Sequence, residues 1–267
     1  MHVAVYMACK IFDRKDCGRN VTMFSMAVLS IYHVYRMVTD YYGSWRIDVA
    51  TVFMMFVCKY SSFAFAYQDG ATPIEQLSKE QRLNRVVELP SFYEYMAFIQ
   101  FLPTAALGPS LEYREYERYI LLQDQYANLP NRVGRVIQTF LEAIAWVAIY
   151  MLVYPHFHMD YMRTEAFREL AWWKIVLYDF ASLTLLRSKY YFAWKLSSCS
   201  IDACGLSYNG KVKAENGLMV DDFSLIPNID PWNFEMSPHF RVKVRSWNMS
   251  VQAWLTKCVY YRYRTAE

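Results

Sequence analysis

Apolar residues in this chain gather into runs separated by polar, turn-rich stretches. Val21–Val38 has only His33 and Arg36 as ionisable groups, both near its end. Ile47–Ala66 (IDVATVFMMFVCKYSSFAFA) carries Asp48 at its edge and Lys59 inside. Phe92–Leu107 is shorter and carries Glu94, while Gly134–Tyr154 contains LEAIAWVAIYMLVY, broken only by Glu142. Ala171–Leu186 carries Lys174 and Asp179, and Val3–Phe12 is an apolar stub of half the length. A hydrocarbon core about 30 Å thick takes roughly 20 mostly apolar residues as helix. The pattern therefore predicts five near-spanning helices behind a half-span stub. The expected fold is all-α, a multi-pass transmembrane helical bundle; a soluble helical protein with an aromatic core is the competing reading.

Aromatic rings cluster at the run edges: Tyr41, Tyr42 and Trp45; Trp172 and Trp173; Tyr190, Tyr191 and Trp194. Amphipathic rings prefer the bilayer interface. Ionisable groups inside runs (Lys59, Glu142, Lys174, Asp179) are candidates for a polar substrate tunnel, or else pair between helices or snorkel.

Composition narrows the function. The chain is 55% hydrophobic and 18% aromatic, with a net charge of +3, which gives no footprint for nucleic acid. Its mean hydropathy of +0.02 averages apolar runs against polar loops. Six cysteines occur without a CxxC pair, so neither a disulfide framework nor a metal site is expected. Lys10, Arg14, Lys15 and Arg19 favour a cytoplasmic first loop, whereas Asn20-Val21-Thr22 is a glycosylation sequon requiring the lumen, so orientation stays open.

The loops hold the motifs. Asp69-Gly70 signals a turn. Ser78 with Gln81 predicts a capping box for a short polar helix stopped by Pro90. Ser91 with Glu94 predicts a second box, giving Glu94 a structural role. From about Lys195 to Ser246 the chain is polar and rich in Gly and Pro, and reads mostly as loop. Within it Arg241, Lys243 and Arg245 alternate with apolar residues. Residues 247–263 then predict an amphipathic or re-entrant helix, its stripe formed by Trp247, Val251, Trp254, Leu255, Cys258 and Val259. Asn248 taken alone reads as the N-cap of that helix.

Taken in order, these loop motifs resemble the membrane-bound O-acyltransferase family, specifically its lysophospholipid acyltransferases. The pieces are Y-x-D-G at 67–70, S-x-E-Q-R at 78–82, L-P-S-x-x-E-Y at 89–95 and G-P-x-x-x-Y-x-x-Y at 108–116. RSKYYFAW at 187–194, G-x-x-Y-N-G at 205–210 and W-N-x-x-x-x-x-W-L at 247–255 complete the set. The RSKYYFAW and W-N boxes lean towards lysophospholipid acyltransferases 1 and 2. The resemblance implies a single membrane domain in the endoplasmic reticulum that transfers a fatty acyl group from acyl-CoA to a lysophospholipid hydroxyl. Acyl-CoA is then a co-substrate, lysophospholipid and membrane lipid are the partners, and no cofactor is permanently bound; oligomeric state is left open. By resemblance Asn248 is the catalytic asparagine, and Trp247, Trp254 and Asp69 are expected around the substrate. Arg241, Lys243 and Arg245 are candidates for the phosphates of CoA, with interfacial anchoring as the alternative.

Transfer from a thioester to an alcohol needs a base for the hydroxyl proton, a task that suits His, and polar groups for the oxyanion. The family's His lies a few dozen residues beyond the W-N box. Here the sequence ends at Glu267, so the expectation is a central fragment cut at both ends and inactive as it stands. His2, His33, His156, His158 and His239 each read as non-catalytic. Competing functions are a fold-retaining, non-catalytic membrane protein that binds lipid or a full-length partner, and a protein O-acyltransferase. A transporter is a further alternative, but no inverted repeat is visible.

Overall fold

The structure is a computed structural model that describes residues 1–39, 49–214 and 217–263. In chain order its helices are α1 (His2–Ile11), α2 (Cys17–Thr39), α3 (Val49–Asp69), α4 (Lys79–Asn84), α5 (Phe92–Ile99), α6 (Leu102–Ala105) and α7 (Tyr113–Ile120). After them come α8 (Val133–Leu152), α9 (Glu165–Arg168) and α10 (Trp172–Cys204). A two-stranded antiparallel hairpin, β1 (Lys211–Lys213) and β2 (Met219–Asp221), pairs Val212 with Val220. The chain closes with α11 (Pro231–Met236), α12 (Phe240–Ser246), α13 (Met249–Trp254), a π-helical turn (Leu255–Tyr260) and α14 (Tyr261–Tyr263). Among the described residues, Arg14–Thr39, Val49–Asp69 and Val133–Leu152 are long and apolar enough to cross a membrane. Tyr41, Tyr42, Trp45, Ile47, Asp48 and Asn216, singled out in the sequence, lie outside the described residues.

Two compact units can be distinguished. The first comprises Met1–Pro130, Gly205–Pro227 and Asn248–Glu267. Its centre is α3, the most buried of the long helices, with Tyr60, Phe63 and Ala64 fully enclosed. Gly18, Thr22 and Ser25 make a small-residue stripe on α2, of the kind that lets membrane helices approach closely. At Gly18 the approach is closest, because a Cβ there would overlap the Phe65 ring. The Gly18 N–H donates to Gln68 Oε1 at 3.0 Å.

Both predicted capping boxes form, at Ser78/Gln81 and Ser91/Glu94. The predicted run 92–107, however, is not one span. It breaks at Gln100 into α5, eight residues or about 12 Å long, and the short α6. Pro103 has no N–H to continue the ladder to the Ile99 carbonyl. Lys59 takes up the vacated Ile99 carbonyl: its buried Nζ donates to Ile99 O at 3.1 Å, and also to Phe98 O at 3.2 Å, which Phe101 N–H shares at 3.3 Å. The intramembrane lysine thus finishes a broken helix.

Arg14, counted above as a loop charge, is likewise a structural tie. Its Nε donates to Tyr67 O at 2.8 Å, and Nη2 to Val86 O and Val87 O at 2.7 Å each. Gly70 is required at this crossing, since a Cβ would overlap the Val86 carbonyl and the Arg14 guanidinium.

The second unit comprises Asn131–Cys204 and Asn228–Trp247, built on α8 packed against α10. Most of α8 faces outward, with Ile137, Leu141, Ile144 and Leu152 exposed as a lipid-facing helix requires. The predicted span 171–186 is only the first half of a 33-residue helix, and the stretch read as loop from Lys195 is helical to Cys204. Its polar residues turn inward to α8. Lys195 pairs with Glu142 at 2.6 Å, while Asp202 accepts from Thr139 at 2.7 Å and Arg135 at 3.2 Å. Polarity there marks helix pairing, and the helix stops at Gly205, whose φ of +82° suits a left-handed C-terminus.

Candidate functional site

The W-N box sits at a change of backbone direction. α12 ends at Ser246, and Asn248 heads α13 with φ 45° and ψ 53°, left-handed values uncommon outside glycine and tolerated best by Asn. Its carbonyl accepts from Gln252 N–H at 3.1 Å. Its side chain makes no capping hydrogen bond to α13. The N-cap reading therefore accounts for the backbone of Asn248 but leaves its carboxamide uncommitted to the helix.

The helix that follows is fastened to α3 along one face. Trp254 Nε1 donates to Ser61 Oγ at 2.7 Å, and its ring packs in a buried cluster with Cys58, Phe65 and Cys258. Lys257 lies 2.7 Å from Glu80 and 3.5 Å from Glu112, whose other oxygen accepts from Ser62. Arg262 forks onto Asp69 at 2.6 and 2.5 Å, and Gln81 donates to the same carboxylate at 3.3 Å. The predicted stripe is narrower than expected, as Leu255 and Val259 are exposed. The π-helical turn adds one residue to the winding and brings Lys257 and Cys258 inward with Trp254.

Two cavities flank this contact. One, about 470 Å³, is lined by Ser62, Phe65, Asp69, Gln81, Tyr261 and Arg262 among others. The second, about 300 Å³, has a mixed lining, with Leu83, Leu111, Ile226, Met249, Ala253 and Trp254 beside Ser110, Glu115, Arg118 and Ser250. Glu80, Asn84, Glu112 and Lys257 line both. Burial acts most strongly on Lys257 and pulls its pKa down, but Glu112 and Glu80 outweigh it and the net shift is upward. The ammonium is thus held charged at neutral pH. Among the described residues no group of His, Cys, Asp and Glu is arranged to hold a metal.

Four motifs separated in sequence converge on these walls: Asp69 from Y-x-D-G, Glu80 and Gln81 from S-x-E-Q-R, Glu112 from G-P-x-x-x-Y-x-x-Y, and the W-N box helix. Asp69 meets Arg262 there as an ion-pair partner. Glu112 and Lys257 escaped the sequence reading. Lys257 falls three residues after Trp254 and so on nearly the same helical face, the signal that could have found it.

The remaining candidates belong to the second unit. Trp247 is enclosed by rings, its centroid 4.9 Å from Trp194 and Phe234, 5.8 Å from Tyr191 and 5.9 Å from Tyr190. Glu235 accepts from Arg187 at 2.8 Å and from Tyr191 at 2.5 Å, which ties RSKYYFAW to α11. FRVKVRS, placed in the stretch read as mostly loop, is helix α12. Lys243 donates to Phe234 O and Glu235 O at 2.9 and 2.8 Å, while Arg241 and Arg245, four residues apart and exposed, share a face.

Long apolar helices with inward-paired charges define an integral membrane protein. Comparison makes the class specific: the chain belongs to the membrane-bound O-acyltransferase family, whose model matches residues 34–266. It is 28% identical over 96% of its length to Lysophospholipid acyltransferase 6 of Drosophila melanogaster, covering 37% of that protein. It is 26% identical over 96% of its length to Lysophospholipid acyltransferase of Saccharomyces cerevisiae, covering 45%. With Lysophospholipid acyltransferase 1 of Arabidopsis thaliana it shares 26% identity over 93% of its length, covering 54%. The chain thus spans about half or less of the length of these curated relatives.

Proposed function

We propose that the chain forms part of a lysophospholipid acyltransferase of the endoplasmic reticulum membrane, binding acyl-CoA with its acyl chain in the second cavity. In the reaction the lysophospholipid hydroxyl oxygen attacks the thioester carbonyl. A C–O bond forms, the C–S bond breaks, the hydroxyl proton passes to a base and CoA leaves as the thiol. Asn248 orients the carbonyl and stabilises the developing oxyanion by hydrogen bonding. The observation that carries this reading is the left-handed backbone of Asn248 with its carboxamide unused as a cap, directly before two residues that line the cavity. A non-glycine residue held in that conformation is grounds for a functional hypothesis. Trp247 and Trp254 hold the two ends of the box, and Asp69 anchors Arg262.

The base is the unfilled role. His2 is bonded to Tyr60, His33 is exposed on α2, and His156, His158 and His239 are exposed in the other unit. Residues 1–267 by themselves are expected to bind acyl-CoA without transferring it. The test is equilibrium binding and turnover on the purified 267-residue chain in nanodiscs, with acyl-CoA and a panel of lysophospholipids. Saturable acyl-CoA binding without turnover is expected. Absence of binding contradicts the function, and robust turnover contradicts the missing base.

A further inference from the structure

The short helices α11 and α12, both in the second unit, are turned inside out relative to a helical pair that faces water. Each sends a charged side chain inward. Glu235 pairs with Arg187 on α10 at 2.8 Å, and Lys243 donates to the Phe234 and Glu235 carbonyls in the last turn of α11 at 2.9 and 2.8 Å. The Asp230 N–H bonds the Ser246 carbonyl at 3.0 Å and ties the two ends of the pair together. The outer faces carry large apolar residues instead. Trp232 and Met236, one turn apart on α11, are 72% and 63% exposed. Phe240 and Val244, one turn apart on α12, are 79% and 45% exposed. Next to them on α12 stand Arg241 and Arg245, both exposed and in no ion pair among the described residues. Between residues 231 and 246 no carboxylate is exposed.

We propose that the outer face of α11 and α12 is a membrane-docking surface seated in the headgroup layer of the bilayer. Trp232, Met236, Phe240 and Val244 meet the acyl boundary, and Arg241 and Arg245 meet the headgroups of anionic lipids. The face itself selects this partner. A helix packed against a core in water turns its apolar stripe inward and its charges out, the reverse of what Glu235, Lys243, Trp232 and Phe240 do here. Contiguous exposed apolar residues mark a protein or membrane contact. Two arginines with no exposed carboxylate beside them call for an anionic partner. Basic residues flanking Trp and Phe are the pattern of helices that lie in the headgroup layer. The bilayer is also within reach, because the same unit turns Ile137, Leu141 and Ile144 of the apolar helix α8 outward. Lys243 takes no part, since its ammonium is held by the α11 carbonyls.

The test uses the 267-residue chain in nanodiscs of phosphatidylcholine and phosphatidylserine, with a nitroxide on Phe240→Cys. Cys199→Ser and Cys204→Ser remove the two half-buried thiols, and the other four cysteines are buried. Phe240, Arg241 and Arg245 are exposed, so replacing them should leave folding intact. Dissolved oxygen should reach the label, and a water-soluble nickel chelate should not. Ready access by the chelate overturns the membrane contact. Shielding from both reagents means that protein covers the face, which overturns it equally. The arginines are tested by titrating short-chain phosphatidylserine into the labelled protein in detergent and following the mobility of the label. Phosphatidylserine should immobilise it, and the half-saturating amount should rise roughly fivefold for Arg241→Gln and again when Arg245→Gln is added. A response no stronger than that to short-chain phosphatidylcholine, or an unchanged titration in the double variant, overturns the assignment of the arginines to anionic lipid.

Discussion

Trp254 and Ser61, 193 residues apart in the chain, are joined by an indole N–H to hydroxyl hydrogen bond of 2.7 Å inside the first unit. Ser61 is itself fully buried and donates to the Val57 carbonyl, so one serine couples the ladder of α3 to the helix headed by Asn248. Trp254→Phe keeps most of the ring and removes the donor, and should cost about 1 kcal/mol. Ser61→Ala leaves the indole N–H buried without its acceptor and should cost somewhat more. A double-mutant cycle in detergent thermal unfolding should return a coupling of about 1 kcal/mol; additive losses would show that the bond contributes nothing.

The Arg262–Asp69 fork joins side chains only 16% and 5% exposed. Asp69→Asn strands a guanidinium in that setting and should destabilise by about 3 kcal/mol. Arg262→Lys loses the second hydrogen bond and should cost less. Equal losses in thermal unfolding would mean that bidentate geometry is irrelevant here.

Lys257 carries a pH signature. Its folded pKa is raised above the unfolded value, so its contribution to stability is fully present below about pH 10.4 and is lost as pH rises through the folded pKa. The gap in melting temperature between wild type and Lys257→Gln should stay constant across neutral and mildly alkaline pH, then close in that upper window. A gap that closes on acidification from neutral to weakly acidic pH, where the carboxylates remain ionised, would contradict this sign.

Gly70 tests the turn beside Asp69. A methyl group there meets the Val86 carbonyl and Arg14, so Gly70→Ala should destabilise by roughly 1–3 kcal/mol. Arg14→Ala in the same background should not restore stability, because the carbonyl clash remains. Wild-type melting of Gly70→Ala would show that the crossing is looser than described.

The elements legible in the sequence are those governed by local rules. Ser78/Gln81 and Ser91/Glu94 act within one helical turn, and the runs around 21–38 and 134–154 are recognisable because lipid-facing residues need no partner to be read. The errors arise where a distant residue decides. Pro103 broke the third run, yet only the fold brings Lys59 to the orphaned carbonyl. Lys195 and Asp202 looked like loop residues because their partners on α8 lie about 50 to 65 positions away. The candidate site was half visible: Asn248, Asp69 and Trp254 stand out by motif. Glu112 and Lys257 acquire meaning only when α3, α4 and the W-N box helix converge.

The central claim is that the cavity behind Asn248 receives the acyl chain of acyl-CoA. It is tested most directly by photolabelling the full chain in nanodiscs with an acyl-CoA bearing a diazirine at the chain terminus, then mapping adducts by peptide mass spectrometry. The account predicts adducts on Leu83, Leu111, Ile226, Met249 or Ala253 that unlabelled acyl-CoA competes away. Adducts confined to the lipid-facing surface of α8, or indifferent to competitor, would contradict it.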